Sequence, residues 1–84
     1  MVRPFCDPQQ AKCFGARYIF ALARMLGGIS RKDALTKLDE LAYCYAFKAR
    51  GGREMLRYTE SHLSTYGLEQ RAENGVICFF AKGE

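Results

Sequence analysis

Thirteen lysines and arginines stand against nine aspartates and glutamates in this chain, for a formal net charge of +4. These cations carry most of its chemical potential. A basic excess draws polyanions such as nucleic acid. It serves equally as a solvated surface laced with local ion pairs. Acid–base and nucleophilic chemistry has far less to work with. His62 is the only histidine, and beside Cys44 or a carboxylate it would be a general base. No nucleophile motif, paired carboxylates or glycine-rich phosphate loop accompanies it. It reads better as a helix-surface histidine beside Glu60 and Ser61, and the chain as a non-enzyme. The four cysteines, Cys6, Cys13, Cys44 and Cys78, form no CxxC pair, so neither a metal nor another cofactor is expected. Cys44 and Cys78 read as small buried hydrophobes. A Cys6–Cys13 disulfide would need an oxidising compartment, which nothing in the sequence indicates. Tyr43, Tyr45, Tyr58 and Tyr66 are possible stacking platforms for single-stranded nucleic acid. At helical spacing they fit core or boundary positions better.

The elements that hold these residues follow from the apolar pattern. Eighty-four residues, 49% hydrophobic and 26% charged, suit one globular domain. Five tyrosines and six phenylalanines supply packing for so short a chain. The stretch Cys13 to Leu26 is apolar or small in every helical direction except the stripe of Arg17 and Arg24. It is expected to be the hub that the rest of the chain covers, with Phe14, Tyr18, Leu22 and Met25 on one side and Ile19, Ala23 and Leu26 on the next. Asp7, Pro8 and Gln10 open this helix, Gly15 permits close approach of another element, and Gly27-Gly28 ends it. It is too short, and too charged, to span a bilayer, and it lacks signal-peptide flanks. A cytoplasmic location without membrane association is the expectation.

Ser30 and Asp33 have capping-box spacing and open a second helix through Ala34, Leu35, Leu38, Leu41, Ala42 and Tyr45. Asp33 and Lys37 are spaced to pair. Lys48-Ala49-Arg50-Gly51-Gly52 breaks that helix. A third helix is expected from about Arg53 to Tyr66, with Met55, Leu56, Thr59, Leu63 and Tyr66 inward and Arg53, Arg57, Glu60, Ser61 and Ser64 outward. Gly67 stops it, and Leu68 packs back.

The period then changes to that of strands. Asn74-Gly75 is a favoured two-residue hairpin turn, and Val76 to Ala81 is rich in β-branched and aromatic residues. This loop pairs Glu73 with Val76, Ala72 with Ile77 and Gln70 with Phe79. One face then carries Leu68, Ala72, Ile77, Phe79 and Ala81 and should meet the core. The other carries Glu69, Arg71, Glu73, Val76, Cys78 and Phe80. The fold expected is α+β: three helices followed by a C-terminal two-stranded antiparallel β-hairpin.

That order resembles the winged helix-turn-helix domains. The features that carry the likeness are the Gly27-Gly28 stop, the Ile29-Ser30 start of a second helix, and a third helix ending at Gly67-Leu68 directly before hairpin 69–81. The resemblance implies that Ile29 forms a short strand against the hairpin. It also implies that the third helix enters the major groove of duplex DNA. By position, Arg53, Arg57, Tyr58, Ser61 and Ser64 would face the groove, Lys48 and Arg50 would meet phosphates, and Arg71 would belong to the wing. Glu54 and Glu60 fall near the same face and would oppose phosphate. The resulting function is that of a small DNA-binding regulatory protein. A rival placement over residues 21–35 would start the reading helix at Ser30, with Arg31 and Lys32 foremost.

A second function class needs no nucleic acid. Strand alternation puts Phe79 and Phe80 on opposite faces, so Val76, Cys78 and Phe80 form an apolar outer strip. Such a strip suits a protein partner or a second copy of the chain, as in a protein-binding module or inhibitor. Cover by Val2 and Phe5 is the competing explanation.

Overall fold

The computed structural model describes residues 8–44 and 51–82, with side chains over 10–42 and 51–82. Helix α1 (Pro8–Leu26) is followed by strand β1 (Ile29–Ser30), helix α2 (Arg31–Cys44) and helix α3 (Gly51–Ser61). A short 3-10 turn (Ser64–Tyr66) leads into strands β2 (Leu68–Glu73) and β3 (Val76–Ala81). The fold is α+β, as the residue pattern indicates, with a third strand added to the hairpin. Asp7, the expected cap of α1, and the Lys48–Arg50 segment lie outside the described residues.

Local chemistry explains the boundaries. The hydroxyl of Ser30 accepts a hydrogen bond from the Asp33 backbone N–H at 3.1 Å, which satisfies one of the orphan donors of α2. Lys37 sits 3.8 Å from Glu40, one turn on, rather than pairing with Asp33. Asn74 and Gly75 take φ of 54° and 78°, the left-handed pair that a tight hairpin turn requires. The register is the one the turn dictates: Glu73 opposes Val76, Ala72 opposes Ile77 and Gln70 opposes Phe79. Ile29 and Ser30 pair antiparallel with Phe79 and Cys78, so the sheet runs β1-β3-β2.

The third helix ends earlier than its apolar spacing suggests. The His62 N–H bonds to the Thr59 carbonyl at 3.1 Å, an i−3 bond that tightens the chain. The Tyr58 carbonyl, which would have taken that N–H, instead accepts from Nδ1 of the His62 ring at 2.9 Å. The 3-10 turn follows, and Leu68 N–H closes back on the Leu63 carbonyl at 2.9 Å.

The core joins Ile19 and Ala23 of α1, Ala34, Leu38 and Ala42 of α2, and Met55 and Leu56 of α3 to Ile29, Leu68 and Phe79 of the sheet. Thr59 is buried with them, and its hydroxyl donates to the Met55 carbonyl at 2.8 Å. Helix α3 packs on both α1 and α2, while α1 also lies on β3. So α1 shares the central position with α3. Its last turn runs past its cover: Met25 and Leu26, expected inside, are 77% and 64% exposed.

Two glycines set the helix spacing. A Cβ on Gly15 would fall 2.8 Å from the terminal methyl of Met55, and one on Gly52 would fall 2.7 Å from the Asp39 backbone nitrogen. The first marks the approach of α1 to α3, and the second the tighter approach of α3 to α2. The hairpin, by contrast, outruns the core. Leu68 and Phe79 are buried, but Ala72 and Ile77 on the same face are exposed. Alternation assigned that face correctly, yet burial ends before the hairpin tip.

Candidate nucleic-acid interface

The outer face of α3 is opposite its buried face. Gly52, Met55, Leu56 and Thr59 point inward. Arg53, Glu54, Arg57 and Ser61 are exposed and span about 100° of the circumference on the far side. Arg53 and Arg57 have no ion-pair or hydrogen-bond partner among the described residues. They are also a like-charged i,i+4 pair, which costs an isolated helix about 0.2–0.5 kcal/mol. A polyanion laid on this face would relieve that repulsion. Ser64, in the 3-10 turn, is exposed just beyond the helix.

Glu60 does not oppose an anion there. Its Oε2 accepts from Arg31 Nε at 2.6 Å, and Oε1 from Arg31 Nη2 at 3.4 Å. Oε2 also accepts from Gln70 Nε2 at 2.8 Å. One carboxylate thus ties the start of α2 to the end of α3 and to β2. The bond and charge of Glu60 hold the Arg31 guanidinium pKa above its usual value. Arg31, foremost in the rival helix-turn-helix placement, is therefore engaged within the protein. No local spacing signals this clamp, because its partners lie 29 residues apart.

Tyr58 is turned toward the body at the edge of this face. Its ring stacks on His62 with centroids 4.2 Å apart, and its hydroxyl lies 2.9 Å from that of Tyr66. The Tyr66 hydroxyl lies 2.8 Å from the Cys13 thiol in turn. The bonds to Cys13 and then to Tyr58 raise the Tyr66 pKa well above the usual phenol value. This thiol–phenol–phenol chain joins α1 to α3 and the 3-10 turn. Helical spacing marks the tyrosines as boundary residues but does not show that they bond to each other.

Arg71 is apart from the α3 face. It projects from the sheet face opposite Gln70, and Gln70 is the residue that reaches Glu60. Its guanidinium lies 3.5 Å from Glu69, 3.7 Å from Glu73 and 4.0 Å over the Phe80 ring. Two carboxylates flank this one cation. Phe80 is covered from the other side, since a Cβ on Gly28 would fall 2.6 Å from the Phe80 ring. Of the apolar strip Val76, Cys78 and Phe80, only Val76 is fully on the surface, at 47% exposure. Cys78 and Phe80 are half-buried. Val2 and Phe5 lie outside the described residues.

The remaining chemistry is sparse. Cys13 and Cys78 are free thiols. Cys13 also lines an open cleft of about 380 Å³ with Gln10, Phe14 and Arg17. Among the described residues no three His, Cys, Asp or Glu side chains gather to hold a metal ion. Among the same residues no helix is long and apolar enough to cross a membrane. Comparison with protein-family models, curated proteins and solved structures finds no match to this chain.

Proposed function

We propose that this protein is a small non-enzymatic DNA-binding regulator of the winged-helix type, with the outer face of α3 as its duplex contact. The observation that carries the reading is the charge arrangement on α3. Arg53 and Arg57 stand exposed on one stripe and without partners among the described residues, while the neighbouring acid Glu60 is held by Arg31 and Gln70. The order α1-β1-α2-α3-β2-β3 and the sheet order β1-β3-β2 support it, since a helix carried beside a projecting hairpin suits groove binding. Ser61 and Ser64 continue the stripe with hydroxyls that can meet phosphate or base edges. Arg71, compensated by two glutamates, contributes little under this reading. Gel retardation of random-sequence duplex at low salt tests it. Retardation that fades steeply with added salt is expected. No retardation at high micromolar protein would overturn it.

A second reading, a protein-binding module acting through an apolar surface, draws on a different observation. Met25, Leu26, Val76 and Ile77 are all exposed. Light scattering on the eluted protein tests its dimeric form. A strict monomer at high concentration removes the second copy of the chain as the partner.

A further inference from the structure

The DNA reading rests on charge, and the outer face of α3 carries more than charge. Glu54 stands exposed between Arg53 and Arg57 in sequence, with no partner among the described residues. Against phosphate alone a carboxylate there is a liability. Against base edges it is not, because cytosine offers an N4 amino donor in the major groove that a carboxylate accepts. Arginine donates two bonds to O6 and N7 of guanine, the commonest specific contact in that groove. Arg53 and Arg57 are separated by about 6 Å along the helix axis, close to two base-pair steps of about 3.4 Å. Glu54 lies within that interval on the same exposed sector.

Building on the proposed function, we infer that the outer face of α3 reads G·C pairs. Arg53 and Arg57 reach guanines about two steps apart, and Glu54 accepts from an intervening or paired cytosine. The contrast with Glu60 supports this assignment. One helix carries both acids: Arg31 and Gln70 hold the one at the rim, while the one between the arginines has no partner among the described residues.

The test is fluorescence anisotropy at low salt, with two labelled duplexes of equal length, one of mixed G·C-rich sequence and one of A·T pairs only. The intact chain should bind the G·C-rich duplex about ten- to a hundredfold more tightly. Glu54→Ala should shrink that ratio while leaving A·T binding equal or tighter, because it removes an anion. Arg57→Ala should weaken both and also shrink the ratio. Equal binding of both duplexes by the intact chain, or an unchanged ratio in Glu54→Ala, overturns the inference and leaves the DNA reading standing. Binding of neither duplex overturns both. All three positions are exposed, and circular dichroism checks that each variant folds.

Discussion

Replacing Gly52 with alanine should destabilise the protein more than the same change at Gly15, although both glycines are buried inside helices. At Gly52 the new methyl would lie 2.7 Å from the Asp39 backbone nitrogen and 2.8 Å from the Asp39 Cα. Backbone atoms of α2 cannot rotate away, so α2 and α3 must part. Overpacking of that kind costs about 1–3 kcal/mol. The helix-propensity gain of alanine over glycine, up to about 1 kcal/mol, offsets part of it. At Gly15 the nearest atom is the terminal methyl of Met55 at 2.8 Å, followed by Leu38 Cδ2 at 3.2 Å. Met55 can swing its end aside, so the propensity gain nearly cancels the crowding, and the net change should stay within about 1 kcal/mol. Urea titrations followed by circular dichroism would compare the two variants. For a domain of this size, 1 kcal/mol corresponds to about 4–8 °C in Tm. If Gly52→Ala is as stable as the parent, or Gly15→Ala is the worse variant, the close crossing of α2 and α3 is wrong. The orientation given to the outer face of α3 would then be wrong as well.

Ser30→Ala should cost about 1 kcal/mol through loss of the α2 cap, read as a lower urea midpoint at unchanged slope. The Arg31–Glu60 pair is partly exposed, so a double-mutant cycle with alanine at each position should give a coupling of about 0.2–1 kcal/mol that shrinks with salt. A coupling of zero at low salt would deny the clamp. Tyr66 should ionise later than an ordinary tyrosine. Its folded pKa is raised, so the stabilisation from its neutral hydroxyl is complete below the usual phenol pKa of about 10 and is lost as pH rises above it. A phenolate absorbance titration should show a late-ionising component that Tyr66→Phe removes and that Tyr58→Phe or Cys13→Ala brings earlier. Absence of a late component assignable to Tyr66 would refute the network.

Local rules carried most of the fold. The Ser30 cap, the Asn74-Gly75 turn and its register are each set by a few adjacent residues, and each is found as read. The inward residues Met55, Leu56 and Thr59 of α3 were legible from their spacing for the same reason. What escaped depends on where elements stop relative to each other. Met25, Leu26 and Ile77 have core chemistry but are exposed, and apolar character alone does not bury a residue. The early end of α3 turns on the His62 ring bonding to the Tyr58 carbonyl, an interaction that helix periodicity does not register. On the candidate face, Arg53, Arg57 and Ser61 were visible as an outward stripe. The restraint of Glu60 by Arg31 and the engagement of Arg71 by Glu69 and Glu73 needed the three-dimensional arrangement. Lys48 and Arg50 fall outside the described residues and add nothing to either side.

The claim that α3 is the DNA contact is tested most directly by moving the charge loss from one helix to another. Arg17 sits exposed on the solvent side of α1, across the core from the outer face of α3. Binding of a single G·C-rich duplex at low salt would be measured for the intact chain, for Arg17→Ala, and for the double variant Arg53→Ala/Arg57→Ala. The double variant should lose at least about tenfold in affinity, while Arg17→Ala stays within about twofold of the parent. A double variant that binds as the parent does, or an Arg17→Ala loss of equal size, would contradict α3 as the contact face.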